Sequence, residues 1–261
     1  MRYKLGISFI IICLTFLYAC KKKDTTPTTT DTTTNVPTGD LKFHLHTYIG
    51  DQEVDAYNID YPMPDGRKIS LNMAELYISE IQLVKLDGSL YNVPSNGVLK
   101  VFESEGVEIG KVPVGNYKSV RFKVGLTPDV NTLEPTTTGY VNLLNQPEMW
   151  FSTKAQPDGY VYLNFSGSID TTAAQTGVHV PFEYKIGTED NRVQIEMPAQ
   201  NFSIFKDAVG YVHMKIQYDR LFDGINLSNN ANLHVITKTD NALPIVETLK
   251  KNMQKLFIYE N

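Results

Sequence analysis

From residue 41 onward, apolar and polar side chains alternate in short runs. Leu41, Phe43, Leu45 and Thr47 alternate with Lys42, His44, His46 and Tyr48, the period of two that a half-buried strand requires. The same period returns in residues 117–124, where Val120, Phe122 and Val124 share a face, in residues 160–165, and in residues 211–216. Turn formers separate these runs: Asp87-Gly88, Pro113-Val114-Gly115-Asn116, Asp158-Gly159 and Asp223-Gly224. Many short strands punctuated in this way predict an all-β fold, an antiparallel β-sandwich. One helix is predicted at the C-terminal end. There Ile245, Leu249, Met253 and Leu256 form an apolar stripe, Asp240 and Asn241 offer caps, and Pro244 stands early, where its missing amide is harmless. A short helical turn is expected at residues 221–223.

The first 40 residues obey a different pattern. Arg2 and Lys4 precede an apolar run from Ile7 to Leu17, too short for a spanning helix of ~20 residues and of the size of a secretory signal. It ends in Leu17-Tyr18-Ala19-Cys20, which resembles the lipobox of bacterial lipoproteins. Residues 1–19 therefore read as a signal peptide and Cys20 as the lipidated residue. Residues 20–40 follow as a tether: Asp24 to Thr38 is dominated by Thr and has almost no apolar surface to bury, as a disordered linker does. The folded domain is expected to span residues 41–261. Lysines rather than acidic residues after Cys20 point to a lipid-anchored protein of the outer membrane that faces the periplasm.

Composition narrows the function classes. The chain has 261 residues, 24 Lys+Arg, 29 Asp+Glu and two cysteines. No basic block exists beyond Lys21-Lys22-Lys23, so nucleic acid is not an expected partner. Removal of the signal segment takes Arg2, Lys4 and Cys13 with it, which shifts the side-chain charge from −5 to −7. With Cys20 acylated, the domain keeps no thiol. Thiol catalysis and thiolate metal sites are excluded, and any metal must use His, Met, carboxylate or aromatic ligands. No Gly-x-Ser-x-Gly, His-Glu-x-x-His or glycine-rich phosphate loop is present, and the chain is expected to be no enzyme. Glu189-Asp190-Asn191 reads as a hairpin tip, and the oxygens of residues 219–232 lack the spacing of a calcium loop.

His44-x-His46 is the one constellation with metal chemistry. On a strand these residues point to one face, about 7 Å apart at Cα for a rise of ~3.3 Å per residue. Two imidazoles so placed can converge on one transition-metal ion with a third ligand from a neighbouring strand. The competing reading is a plain wet face of a half-buried strand. His213 and His234 read as surface or cross-strand residues, and His179 beside Pro181 as a loop residue. Met149-Trp150-Phe151 contains the sole tryptophan, a core anchor by default and otherwise a possible site aromatic.

Several ordered stretches resemble the MbnP-like copper-binding family: Tyr77-Ile78-Ser79-Glu80-Ile81-Gln82-Leu83, Pro113 to Gly125, Met149-Trp150 with Gly159-Tyr160 and Phe165-Ser166-Gly167, Phe182-Glu183-Tyr184-Lys185-Ile186-Gly187, and Leu221-Phe222-Asp223-Gly224. The resemblance implies a periplasmic or lipid-anchored β-sandwich that binds copper through His together with an oxidised tryptophan, a role that would fall to Trp150. Three departures stand out: Lys185 where many relatives have His, Glu80 where Asn is usual, and Met149-Trp150 followed by Phe151 and Ser152 where the pattern is Met-Trp-x-Trp. The expected function is copper binding in the cell envelope, with His44 and His46 as ligands. The alternative is a module that binds a protein or glycan partner without metal.

Overall fold

The computed structural model describes residues 36–102, 104–152, 159–172 and 177–260. The signal segment, Cys20, most of the tether and Asp158 lie outside the described residues. Strand β1 (Thr38–Ile49) shows unbroken alternation, with Leu41, Phe43, Leu45, Thr47 and Ile49 buried and the residues that alternate with them half-buried. It starts at Thr38, so residues 38–40, expected in the tether, already belong to the fold. The main strands that follow are β2 (Gln52–Glu53), β3 (Lys68–Lys85), β4 (Gly106–Pro113), β5 (Gly115–Val124), β6 (Val161–Asp170), β7 (His179–Gly187), β8 (Val193–Glu196), β9 (Phe202–Ile204), β10 (Val209–Gln217) and β11 (His234–Val235). Helix α1 (Pro244–Met253) and strand β12 (Phe257–Tyr259) close the chain. Among the described residues, no helix is long and apolar enough to cross a membrane.

Two sheets result. The first runs β12-β10-β1-β2, with β4 also paired to β1; the second runs β8-β5-β3-β6-β7-β11, with β9 on β5 and short strands along β3. Their inner faces share one core, in which Phe43 of the first sheet packs on Phe122 of the second at 5.9 Å and Phe122 packs on Phe257 at 4.8 Å. Each such buried side chain contributes about 1.5–3 kcal/mol, so the alternation that forms β1 also docks it. The all-β architecture with a C-terminal helix is as the sequence predicts.

Pairing departs from an all-antiparallel expectation at two places. β1 pairs with β10 in parallel from Asp40↔Val209 to Tyr48↔Gln217, and β7 pairs with β11 in parallel. Alternation defines faces and leaves strand direction open. Residues 189–191 are not a hairpin tip: they form a turn of 3₁₀ helix between β7 and β8, which pair with different partners. His179 lies in a strand rather than a loop, beside Ser168 Oγ at 3.2 Å. The helix buries Val246, Leu249, Asn252 and Met253, and Leu256 is buried just beyond it. Leu243, not Asp240 or Asn241, occupies its N-cap.

Candidate metal centre

The parallel register sets His44 directly opposite His213 and His46 opposite Lys215. Paired residues share a face, and i and i+2 share a face. The outer side of the first sheet therefore gathers three imidazoles. The His44 ring meets His46 at 4.5 Å and His213 at 4.9 Å, both edge to face. His44 Nδ1 lies 3.0 Å from His46 Nε2 and 3.2 Å from His213 Nδ1.

Three carboxylates surround this group, each anchored by backbone on the strands that carry the histidines. Glu53 stands opposite Tyr48 in the β1–β2 ladder, and its Oε1 contacts His46 Nδ1. The Tyr48 hydroxyl donates to the other oxygen of Glu53 at 3.5 Å. The Glu105 carbonyl accepts from the Leu45 amide at 2.8 Å, which brings its carboxylate to 3.3 Å from His44 Nε2. The Glu260 amide donates to the His213 carbonyl at 3.1 Å, and its carboxylate lies 3.5 Å from His46 Nε2 and 3.8 Å from Lys215 Nζ. Lys215 itself sits over the Tyr48 ring at 4.3 Å.

This geometry has a chemical direction. The nearer carboxylates, Glu53 and Glu105, face His46 Nδ1 and His44 Nε2, while Glu260 stands farther off at 3.5 Å from His46 Nε2, which favours the tautomers with N–H on His46 Nδ1 and His44 Nε2. Both remaining lone pairs, on His46 Nε2 and His44 Nδ1, then point at one another across 3.0 Å. Two acceptors at that distance repel unless a proton or a metal ion sits between them. An ion ~2.0–2.1 Å from each nitrogen would set nitrogen–nitrogen edges of about 2.9–3.4 Å for right-angle to tetrahedral geometry, which brackets the separations seen. A carboxylate behind each ligating imidazole is the usual outer arrangement of His-bound metals. Ligand atoms of His44, His46 and Glu105 lie within 4.8 Å of one another, as do those of His44, His213 and Glu260. A cleft of about 390 Å³, walled by Phe202, Tyr211 and Tyr259, reaches His213 and Glu260 from solvent.

A profile of the MbnP family matches residues 38–238. The chain belongs to the MbnP family. Among solved structures, MbnP from Methylosinus trichosporium is similar in fold at 13% identity and a TM-score of 0.51, over 72% of this chain and 78% of that one. No curated protein matches. Within this MbnP-family chain, His44, His46, Trp150, Lys185 and His213 all fall inside the matched span, and Glu260 falls outside it.

The structure brings His44 and His46 together but leaves Trp150 elsewhere. Trp150 bridges to Tyr160, its indole N–H donates to the Leu144 carbonyl at 3.0 Å, and it packs on a second apolar cluster with Met149, Leu144 and Tyr160. Lys185 is ion-paired with Glu183 at 3.2 Å. Sequence reasoning set His213 aside and gave no role to Glu53, Glu105 or Glu260. The alternation around His213 was visible, but its register against β1 was not. In the 219–232 loop, Asp219 is buried and accepts from the Gly50 amide at 3.0 Å, which ties it to the turn after β1. Ser168 and Asp60 approach the same nitrogen of His179, Nδ1, at 3.2 and 3.7 Å. A nucleophile relay needs the two on opposite nitrogens.

Proposed function

We propose that this MbnP-family protein binds copper in the bacterial cell envelope through the histidine group of its first sheet, with His44 and His46 as ligands, held to the outer membrane by lipid on Cys20 and facing the periplasm. The observation that carries the metal reading is the position of His44 Nδ1, 3.0 Å from His46 Nε2 and 3.2 Å from His213 Nδ1, with carboxylates behind both β1 histidines. Family membership supports copper as the metal, and the absence of thiols after Cys20 leaves imidazole as the soft end of the donor set. The anchoring rests on the Leu17-Tyr18-Ala19-Cys20 pattern and the Thr-rich stretch after it.

Calorimetric titration with copper tests the metal reading. Stoichiometric binding is expected, and the His44→Ala/His46→Ala double variant should lose it; unchanged tight binding in that variant would remove these ligands. Radiolabelled palmitate incorporation, abolished by Cys20→Ser, tests the anchor. A second reading, a metal-free module that binds a protein or glycan partner, is favoured by the Lys185–Glu183 ion pair at a position where the family resemblance places His. A silent copper titration would turn the assignment to that reading.

A further inference from the structure

We infer that this chain holds its ion as copper(II) in a sulfur-free set of His44, His46, His213 and Glu260, and that this site does not use Trp150. The inference rests on the copper reading above and departs from the arrangement of His with oxidised tryptophan that the resemblance implies.

Four observations carry it. The nitrogens of His46 and His213 that stand at ligand-edge spacing from His44 Nδ1 come from β1 and β10 of the first sheet, whereas Trp150 bridges to Tyr160, the residue before β6 of the second sheet. The indole is also engaged, since its N–H bonds the Leu144 carbonyl at 3.0 Å. Where the resemblance places a histidine, Lys185 is bound to Glu183; an ammonium repels a cation, so this position disfavours metal. Finally, Glu260 is supplied by the segment after β12, beyond the residues 38–238 that the family profile covers. This chain thus completes the donor set with a residue outside the matched span.

The donors determine the oxidation state. Imidazole nitrogen and carboxylate oxygen suit Cu(II), whereas Cu(I) prefers thiolate and thioether sulfur. Three neutral imidazoles and one carboxylate leave a Cu(II) site with a single positive charge, and Glu53 and Glu105 lie close enough to offset it. These two carboxylates are positioning residues. They fix which nitrogen of His46 and of His44 faces the ion, without touching it. Lys215, 3.8 Å from Glu260, is the counter-ion that the metal replaces.

The test uses the full chain titrated with Cu(II), read by calorimetry and by electron paramagnetic resonance. One equivalent should bind, with superhyperfine splitting from three nitrogens. Trp150→Phe should leave the affinity within about threefold, and mass spectrometry of the loaded wild type should find Trp150 unmodified. His213→Ala and Glu260→Gln should weaken binding by at least the ~10–100-fold typical of changes around a metal site, and His213→Ala should remove one nitrogen from the spectrum. His213→Gln and circular dichroism of every variant guard against misfolding as the cause. If the wild type binds no copper, the copper reading itself falls, and the inference with it. Binding in the wild type that vanishes in Trp150→Phe, or that survives unchanged in His213→Ala and Glu260→Gln, overturns the inference and leaves the reading standing. Retention of Cu(I) in preference to Cu(II) against a Cu(I) chelator would overturn the oxidation-state assignment.

Discussion

At residue 80 the backbone adopts a φ of 50°, a left-handed conformation, where the β3–β5 ladder slips between Ser79 and Gln82. A non-glycine side chain there costs roughly 1–2 kcal/mol, and Asn tolerates it better than most. Glu80 offsets the strain with charge: its carboxylate lies 2.7 Å from Lys123 Nζ and 2.9 Å from Arg192 Nη2. Partial burial pushes its pKa up, but the bonds to Lys123 and Arg192 outweigh burial and hold the carboxyl below its ordinary 4.5. A depressed folded pKa gives stability that is present above the unfolded value and lost as pH falls through the folded one. Glu80→Gln should therefore be less stable than wild type near neutral pH, by about 1 kcal/mol or less for so exposed a pair. The two urea midpoints should converge well below pH 4.5. A gap that persists in acid would assign the loss to backbone strain instead. Glu53→Gln is a sharper test at the centre, since it keeps the shape and removes the charge behind His46. It should weaken copper binding ~10–100-fold while the metal-free melting temperature barely moves.

Among the elements, β1 was the most legible, because its alternation alone defines which side chains reach the core and which lie outside. Alternation alone puts His44 and His46 on one face, whatever strand lies beside them. What it could not supply was the strand beside them: His213 is 169 residues from His44, and nothing local encodes a parallel register over that separation. The three glutamates were illegible for a related reason, since each is placed by the end of another element rather than by its own pattern. Asn241 shows the same limit. Its place ahead of a helix suggested a cap, yet it is a buried pin. It accepts from the Gly187 amide at 2.8 Å, donates to the Lys185 carbonyl at 2.9 Å, and bonds Asn191 at 3.1 Å. Asn241→Ala would orphan buried groups at roughly 1–3 kcal/mol each, so chemical denaturation should show a loss near or above the upper figure. Leu249→Ala, on the buried face of α1, should cost about 2–5 kcal/mol. A cost below 1 kcal/mol for Asn241→Ala would mean that the end of β7 does not depend on this pin.

At the scale of the molecule, the proposed ligands come from chain positions 44, 46, 213 and 260, carried by β1, β10 and the residue directly after β12. An ion held by them would act as a cross-link between the first strand of the domain and its last, so its effect should appear far from the outer face of the sheet. Ligand at a hundredfold excess over its Kd stabilises the folded state by about 2.7 kcal/mol. For a domain of this size each kcal/mol shifts the melting temperature by ~2–4 °C. Copper should therefore raise the wild-type midpoint by about 5–10 °C and leave the His44→Ala/His46→Ala variant unmoved. The distribution of that stabilisation separates two ligand sets. If only β1 and β10 hold the ion, amide exchange in β12 should be indifferent to metal, because its ladder to Met214, Lys215 and Ile216 is already complete. If Glu260 is a ligand, the metal restrains the residue directly after β12 and suppresses its fraying. The amides of residues 257–260 should then exchange more slowly with copper bound, and Glu260→Gln should abolish that added protection while keeping the ladder. Equal exchange with and without copper in the wild type would place Glu260 outside the coordination shell.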